Sequence, residues 1–130
     1  MKQTQTPEKV IAVFKSEFSP LLSKFEIYSF SISEARISEA DYVWKPGCYV
    51  FCDKEHGVLK VGRSFSNSRK RALEHIRDDT GGKMKDLENS EGSNLILFNL
   101  KLEKDMHWAA AVEVFLENSL DPSIPSKRLG

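Results

Sequence analysis

The pattern of apolar and polar positions predicts a β-hairpin at the centre of the chain. Residues 47–53 and 58–62 are rich in β-branched and aromatic side chains, and Gly57 can supply the positive φ that a tight turn favours. A loop with an even number of residues would put Tyr49 and Lys60 on the same face of the hairpin. An odd number would put them on opposite faces, and the sequence leaves both registers open.

Apolar residues that recur every three to four positions predict three helices. The first is capped by Thr6 and stops or restarts near Pro20. The second is a basic helix over residues 69–79, and it follows a segment rich in residues that cap helices. The third is capped by Asp105 and ends at Asp121, which precedes a proline. Its predicted buried stripe consists of Trp108, Ala111, Val112, Phe115 and Leu116.

The remaining segments complete an α+β pattern. Residues 25–32 and 94–102 predict strands, whereas residues 33–42 are compatible with a short helix or a loop. Residues 79–93 contain three glycines and mixed charges, which predicts a mobile surface loop. We therefore expect a small central antiparallel sheet, made of the hairpin and a third strand, with helices flanking it.

The length predicts one domain over residues 1–130. Residues 46–120 would form its core and residues 121–130 a C-terminal tail. Residues 1–45 would form an N-terminal helix-strand extension packed on that core. This extension either supports the core or supplies target recognition or a dimer surface, and the sequence does not distinguish these roles.

Composition and cysteine spacing predict a soluble protein of the cytoplasm. The chain is 40% hydrophobic and 29% charged, and no apolar run approaches the ~20 residues of a membrane span. Its first residues also lack the apolar core of a signal peptide. Cys48 and Cys52 lie on one predicted strand, about 13 Å apart at ~3.3 Å per residue, which is too far for a disulfide. We expect reduced, half-buried thiols and no membrane partner.

Charge is unevenly distributed although the net charge is zero. Residues 54–85 contain nine Lys or Arg and four Asp or Glu, whereas residues 86–130 contain four basic and eight acidic residues. A basic patch around the hairpin and the second helix is typical of a protein that binds a phosphate backbone. We expect its nucleic-acid contacts to include Arg63, Ser64, Arg69 and Lys70. A solvated helix face without a partner is the alternative.

The order of polar residues around the hairpin then suggests chemistry. Tyr49 and Lys60 lie on the two strands, and Arg71 and His75 are four residues apart, hence on one face of the following helix. Together these side chains could converge on one phosphate. Glu113 and Glu117 are also four apart on the last helix, and for Glu113 we expect a solvated flank.

These residues resemble the motifs of the GIY-YIG nuclease superfamily. The similar elements are Gly47-Cys48-Tyr49, then Lys60-Val61-Gly62, then an arginine with a histidine four residues later, then a late-helix glutamate at Glu117. The resemblance covers roughly residues 46–120. Lys60 stands where many members have a second tyrosine, and residues 122–130 lack an obvious counterpart of the asparagine that often follows the glutamate helix.

The resemblance implies a metal-dependent endonuclease that hydrolyses nucleic-acid phosphodiester bonds. We expect DNA as the partner before RNA, although the sequence does not distinguish the two. Tyr49 would position or deprotonate the attacking water, and Lys60 would lower the tyrosine's pKa or orient the water. Arg71 would stabilise charge on the phosphate, and His75 would share a proton with Tyr49 or bind phosphate. Glu117 would hold Mg²⁺ or another divalent cation such as Mn²⁺. The alternative is a non-catalytic nucleic-acid-binding module that retains the fold.

Overall fold

A computed structural model of the protein describes residues 5–82, 84–90 and 92–125. The helices in this part of the chain are α1 (Pro7–Glu17), α2 (Ile32–Ile37), α3 (Ser68–Arg77) and α4 (His107–Leu120). The strands are β1 (Phe25–Phe30), β2 (Gly47–Asp53), β3 (Gly57–Ser64) and β4 (Asn94–Leu100). No helix in the described ranges is long and apolar enough to cross a bilayer.

Capping side chains set the starts of the first three helices, as their residue types favour. The side chain of Thr6 accepts a hydrogen bond from the Lys9 N–H at the start of α1, which confirms the predicted cap. Asn67 does the same for the Lys70 N–H at the start of α3. The ambiguous residues 33–42 contain most of α2, which begins with a reciprocal capping box.

The α+β class is confirmed, with an antiparallel sheet of four strands in the order β1-β4-β2-β3. The sheet is one strand larger than the predicted core sheet. Its extra strand is β1 from the N-terminal segment, which pairs with β4 along its whole length. Residues 25–30 are therefore part of the central sheet rather than of a separate extension.

The hairpin has one of the two registers that the sequence left open, but its loop length is not the one expected for that register. Asp53 pairs with Gly57, so the loop has three residues, an odd number that by itself would put Tyr49 and Lys60 on opposite faces. The register shifts between Phe51 and Cys52, and this β-bulge inserts one extra residue on β3. Tyr49 consequently lies opposite Gly62, on the same face as Lys60. Loop length alone therefore does not decide which strand residues share a face of this hairpin, because the bulge changes the register by one residue.

Both faces of the sheet are covered by helices. Alternate residues of β2 point to opposite sides, so Cys48 and Val50 pack with α1 and α4, whereas Tyr49 and Phe51 pack with α2 and α3. Both cysteines are free, as the strand spacing predicted, but they are fully buried rather than half-buried. Tyr49 and Lys60 therefore lie on the α3 side of the sheet.

The last helix begins later than the sequence predicted. Asp105 lies in a short 3-10 turn before α4, and its carboxylate is 3.7 Å from the Lys24 ammonium instead of capping the helix. The predicted stripe is also shifted, because Ala111 is exposed and Ala109 is buried. Packing against β2 and β3 decides which face of an apolar helix is buried in the core.

The described residues within 79–93 include core positions, so the segment is not only a surface loop. Met84 and Leu87 are buried in the core on the α3 side, Met84 directly before a short 3-10 turn and Leu87 within it. The carboxylate of Asp79 accepts hydrogen bonds from the backbone N–H groups of Met84 and Lys85. Lys83 and Glu91, which belong to the same predicted loop, lie outside the described residues.

The described part of the C-terminal tail packs against the hairpin. The backbone N–H groups of Ser123 and Ile124 donate to the carbonyl groups of Val58 and Leu59, at 3.2 and 2.7 Å. The Ile124 side chain joins the core on the α3 side. Residues 121–125 thus cover the outer edge of β3, and residues 126–130 lie outside the described part.

Candidate functional site

A cavity of about 540 Å³ opens at the edge of β3, between α3, α4 and the C-terminal segment. All four residues that were predicted to be catalytic line this cavity. Its lining residues are Tyr49, Lys60, Val61, Gly62, Arg71, His75, Thr80, Gly81, Glu113, Ile124 and Pro125. Elements that are far apart in the sequence therefore meet around one concave surface.

Tyr49 reaches the cavity across the neighbouring strand. Gly62 lies directly opposite it, and a Cβ atom at Gly62 would collide with the phenol ring. The glycine therefore leaves the space through which the ring extends, which gives a physical reason for glycine at this position. The Tyr49 side chain is almost fully buried, and its hydroxyl group lies 2.8 Å from Nε2 of His75.

His75 is held between two hydroxyl groups. Its Nε2 atom faces Tyr49, and its Nδ1 atom is 2.7 Å from Oγ1 of Thr80. Thr80 reaches back because α3 ends at Arg77 and Asp79 adopts a left-handed conformation with φ 51°. The imidazole is therefore fixed in orientation and can relay a proton between its two neighbours.

Burial keeps both members of the Tyr49–His75 pair uncharged at neutral pH. Burial raises the pKa of the Tyr49 phenol well above its usual value, and the positive charge of Arg71 only partly opposes this rise. The net shift of this pKa is therefore upward, opposite to the lowering that the sequence led us to expect from a nearby Lys60. Burial, together with the charges of Lys60 and Arg71, lowers the pKa of His75 to about 4.

Lys60 and Arg71 bring positive charge to the cavity from different depths. Lys60 is 8% exposed, so most of its side chain is enclosed by protein. The Arg71 side chain is 47% exposed, and its Nη1 atom is 3.1 Å from Oε1 of Glu74 on the same helix. An exposed guanidinium can exchange such a surface partner for a phosphate at little cost.

The glutamate that lines the cavity is Glu113. Its side chain is buried, which contradicts the expected solvated flank, and Oε1 lies 3.0 Å from Nη1 of Arg63. Burial raises the pKa of Glu113, while the positive charges of Arg63 and Lys60 oppose the rise. Glu117 lies one helical turn further on, is half-buried and is outside the cavity lining. The tertiary structure thus brings Glu113, not Glu117, to the four catalytic candidates.

The four residues expected to contact nucleic acid occupy different environments. Arg63 binds Glu113, and Arg69 donates to the carbonyl groups of Ala35 and Ser38, so both guanidinium groups have structural contacts. The hydroxyl group of Ser64 accepts hydrogen bonds from the backbone at residues 66 and 67. Lys70 is exposed at the start of α3.

Among the described residues that line the cavity, Glu113 offers a carboxylate to a divalent cation. No group of three or more His, Cys, Asp and Glu side chains that could hold a metal ion occurs among the described residues. Mg²⁺ nevertheless often binds proteins through one or two carboxylates, and completes its octahedron with waters and phosphate oxygens. Glu113 therefore fits as the carboxylate ligand of a cation that arrives with a phosphate.

Sequence reasoning did not identify Glu113, Thr80, Gly81 or the segment around Ile124 as site residues. Glu113 had a usable signal, because a carboxylate on the apolar side of a helix seldom remains there without a partner. Thr80 and Ile124 have no signal of this kind in the sequence, since a threonine in a turn and an isoleucine near a proline are common. Only the path of the chain brings them to the cavity.

Comparison of the chain with protein-family models, with curated proteins and with solved structures finds no match. The geometry and chemistry of the cavity therefore carry the functional proposal.

Proposed function

We propose that the protein is a metal-dependent endonuclease of the GIY-YIG type that hydrolyses phosphodiester bonds, with DNA as the preferred substrate. The observation that carries this proposal is the convergence of Tyr49, Lys60, Arg71 and His75 on one cavity that also contains a glutamate. A phosphate suits such a cavity, because two lining side chains are cationic and the glutamate already faces Arg63. The free, buried thiols of Cys48 and Cys52 are compatible with the cytoplasm.

The Tyr49–His75 pair provides a route for the proton of the attacking water. As the water oxygen bonds to phosphorus, its proton passes to the Tyr49 oxygen and the phenolic proton passes to Nε2 of His75. The 2.8 Å separation suits this transfer, and neither group then needs to be charged beforehand. A bound phosphate would offset the positive charges of Lys60 and Arg71, and so would raise the pKa of His75 towards the range of a base.

The other lining residues act on the phosphate. Arg71 presents a planar set of donors to the oxygens on which negative charge grows, and Lys60 supplies a less hydrated charge from the cavity wall. Glu113 would hold Mg²⁺ or Mn²⁺, which when bound stabilises charge on the leaving oxygen. In this proposal Glu113 takes the place that the sequence assigned to Glu117.

A non-catalytic nucleic-acid-binding module is a second candidate. The ion pair between Glu113 and Arg63 favours it, because a carboxylate that is already paired binds a divalent cation less readily. Such a module would bind nucleic acid in a salt-sensitive way and would not cut it.

Nicking of supercoiled plasmid DNA in the presence and absence of Mg²⁺ or Mn²⁺ tests the proposal. We expect metal-dependent nicking that falls about 100-fold or more in Arg71→Ala, because a stabilising donor to the transition state is lost. Glu113→Gln should abolish the response to metal. Glu117→Gln is the matched control, since the same substitution one turn along the same helix should leave nicking near that of the wild type.

Two results would contradict the proposal in different ways. Salt-sensitive binding without nicking, at any metal concentration, would favour the binding module. Loss of nicking in Glu117→Gln with full activity in Glu113→Gln would return the metal site to Glu117.

A further inference from the structure

Phe65 is a large apolar side chain exposed beside the cavity. It follows β3 directly, and 45% of its surface is exposed. Single exposed apolar residues are common on proteins, so exposure alone says little. The neighbours of this ring distinguish it from a random surface residue.

A short chain of contacts connects Phe65 to the cavity. The guanidinium carbon of Arg63 is 4.7 Å from the centroid of the Phe65 ring. Nη1 of Arg63 is 3.0 Å from Oε1 of Glu113, which lines the cavity. The ring is therefore separated from the cavity wall by one side chain. Because that arginine is only 17% exposed and is bound to a buried carboxylate, it holds the ring in place.

The ring lies beneath the guanidinium of Arg63, and further basic residues follow it along the chain. The exposed Lys70 lies on the first turn of α3, five residues after Phe65, and Arg71 follows it at the cavity. Proteins that bind single-stranded nucleic acid combine a basic surface along the backbone with aromatic rings on which bases stack. In a duplex the bases are already stacked on each other, so they do not offer a free face to such a ring.

We infer that Phe65 stacks on an unpaired nucleobase next to the phosphate bound in the cavity, so that the substrate is single-stranded or opened at that position. This inference rests on the proposed function, because it needs a nucleic acid in the cavity. It adds the structural class of the substrate. Arg63 has a positioning role in it, since it links the stacked base to the same glutamate that faces the phosphate.

Equilibrium binding without cleavage tests the stacking. The probe is a short DNA oligonucleotide that contains 2-aminopurine, offered as a single strand and as a matched duplex, in EDTA at low salt. Stacking on an aromatic ring changes the fluorescence of this base. For the single strand we expect Phe65→Ala to weaken binding about tenfold, which corresponds to about 1.4 kcal/mol, and Phe65→Trp to retain it. Duplex binding should be weaker and insensitive to both substitutions.

Trp44→Ala is the matched control. Trp44 is 48% exposed and also lies beneath an arginine, Arg69, but that arginine binds the carbonyl groups of Ala35 and Ser38 rather than the cavity glutamate. We expect this variant to bind the single strand within about twofold of the wild type. Thermal unfolding of each variant checks that the fold is unchanged.

The possible failures are distinguishable. Equal binding of single strand and duplex, with no effect of Phe65→Ala, would overturn the stacking and leave the nuclease proposal standing. An equal loss in Trp44→Ala would also overturn the specific role of Phe65. If neither form of the oligonucleotide binds even at low salt, the stacking is overturned, and the proposed function is overturned as well if the nicking assay with metal also shows no cleavage.

Discussion

Protonation of individual side chains decides what the cavity can do. Tyr49 and His75 share a hydrogen bond, and burial favours the neutral form of each at neutral pH. The sequence supplied both residues, and the four-residue spacing of Arg71 and His75 correctly predicted that they share a helix face. It could not supply their charge states, because desolvation depends on the atoms that surround a group in the folded chain.

The lowered pKa of His75 makes stability depend on pH. Its pKa is about 4 in the folded protein and near 6.5 in an unfolded chain, so between these values only the unfolded state binds the proton. The free energy of unfolding should therefore fall as pH falls from 6.5 towards 4, and this group alone should contribute a loss of about 2 kcal/mol at pH 5.

Urea unfolding of the wild type and of His75→Gln, between pH 7 and pH 4.5, measures this contribution. Carboxylates titrate in both proteins, so only the difference between the two curves reports on His75. The difference should shrink or change sign as the pH falls. Parallel curves would mean that the imidazole titrates normally in the folded protein.

Among the elements, the hairpin shows how local and distant contacts combine. Its two strands and the glycine at position 57 are evident in the sequence, and the expected pairing of Tyr49 with Gly62 is present. The bulge on β3 is not evident, because no feature of the sequence indicates that one residue of this strand is left without a partner on β2. The C-terminal segment was likewise predicted as a tail, yet Ile124 is 9% exposed and lines the cavity.

Truncating Ile124 to alanine should therefore destabilise the whole protein. The change removes apolar contacts with the core on the α3 side and leaves a void beside β3, so we expect the free energy of unfolding to fall by about 2–4 kcal/mol. Chemical denaturation measures the loss. Leu102→Ala is the control, because Leu102 is 54% exposed and its truncation should change stability by less than about 0.5 kcal/mol. Equal stability of the two variants would show that residues 121–125 do not contribute to the core.

The molecule as a whole is neutral, but its charge is divided between regions. Basic residues concentrate over residues 54–85, and acidic residues exceed basic ones over residues 86–130. Net charge alone would therefore suggest no attraction to nucleic acid, whereas a local excess of Lys and Arg still releases counterions when it meets phosphates.

Salt titration of DNA binding tests this asymmetry. A plot of the logarithm of the binding constant against the logarithm of salt concentration should be steep, and Lys70→Ala should reduce its slope by about 0.9, the value for one lost phosphate contact. Lys104→Ala serves as the control, because Lys104 is also an exposed lysine, lies in the acidic part of the chain and should leave the slope unchanged. Equal effects of both substitutions would indicate attraction by net charge alone.

The sequence by itself determined the features that depend on neighbouring residues. These include the strand alternation, the caps of α1 and α3, the absence of a disulfide and the common face of Arg71 and His75. Only the tertiary structure decided that Glu113 rather than Glu117 reaches the cavity, and that Arg63 pairs with it across 50 residues of chain. The physical reason is that two glutamates four apart look alike along a helix, and only packing against the sheet decides which turn of that helix meets the site.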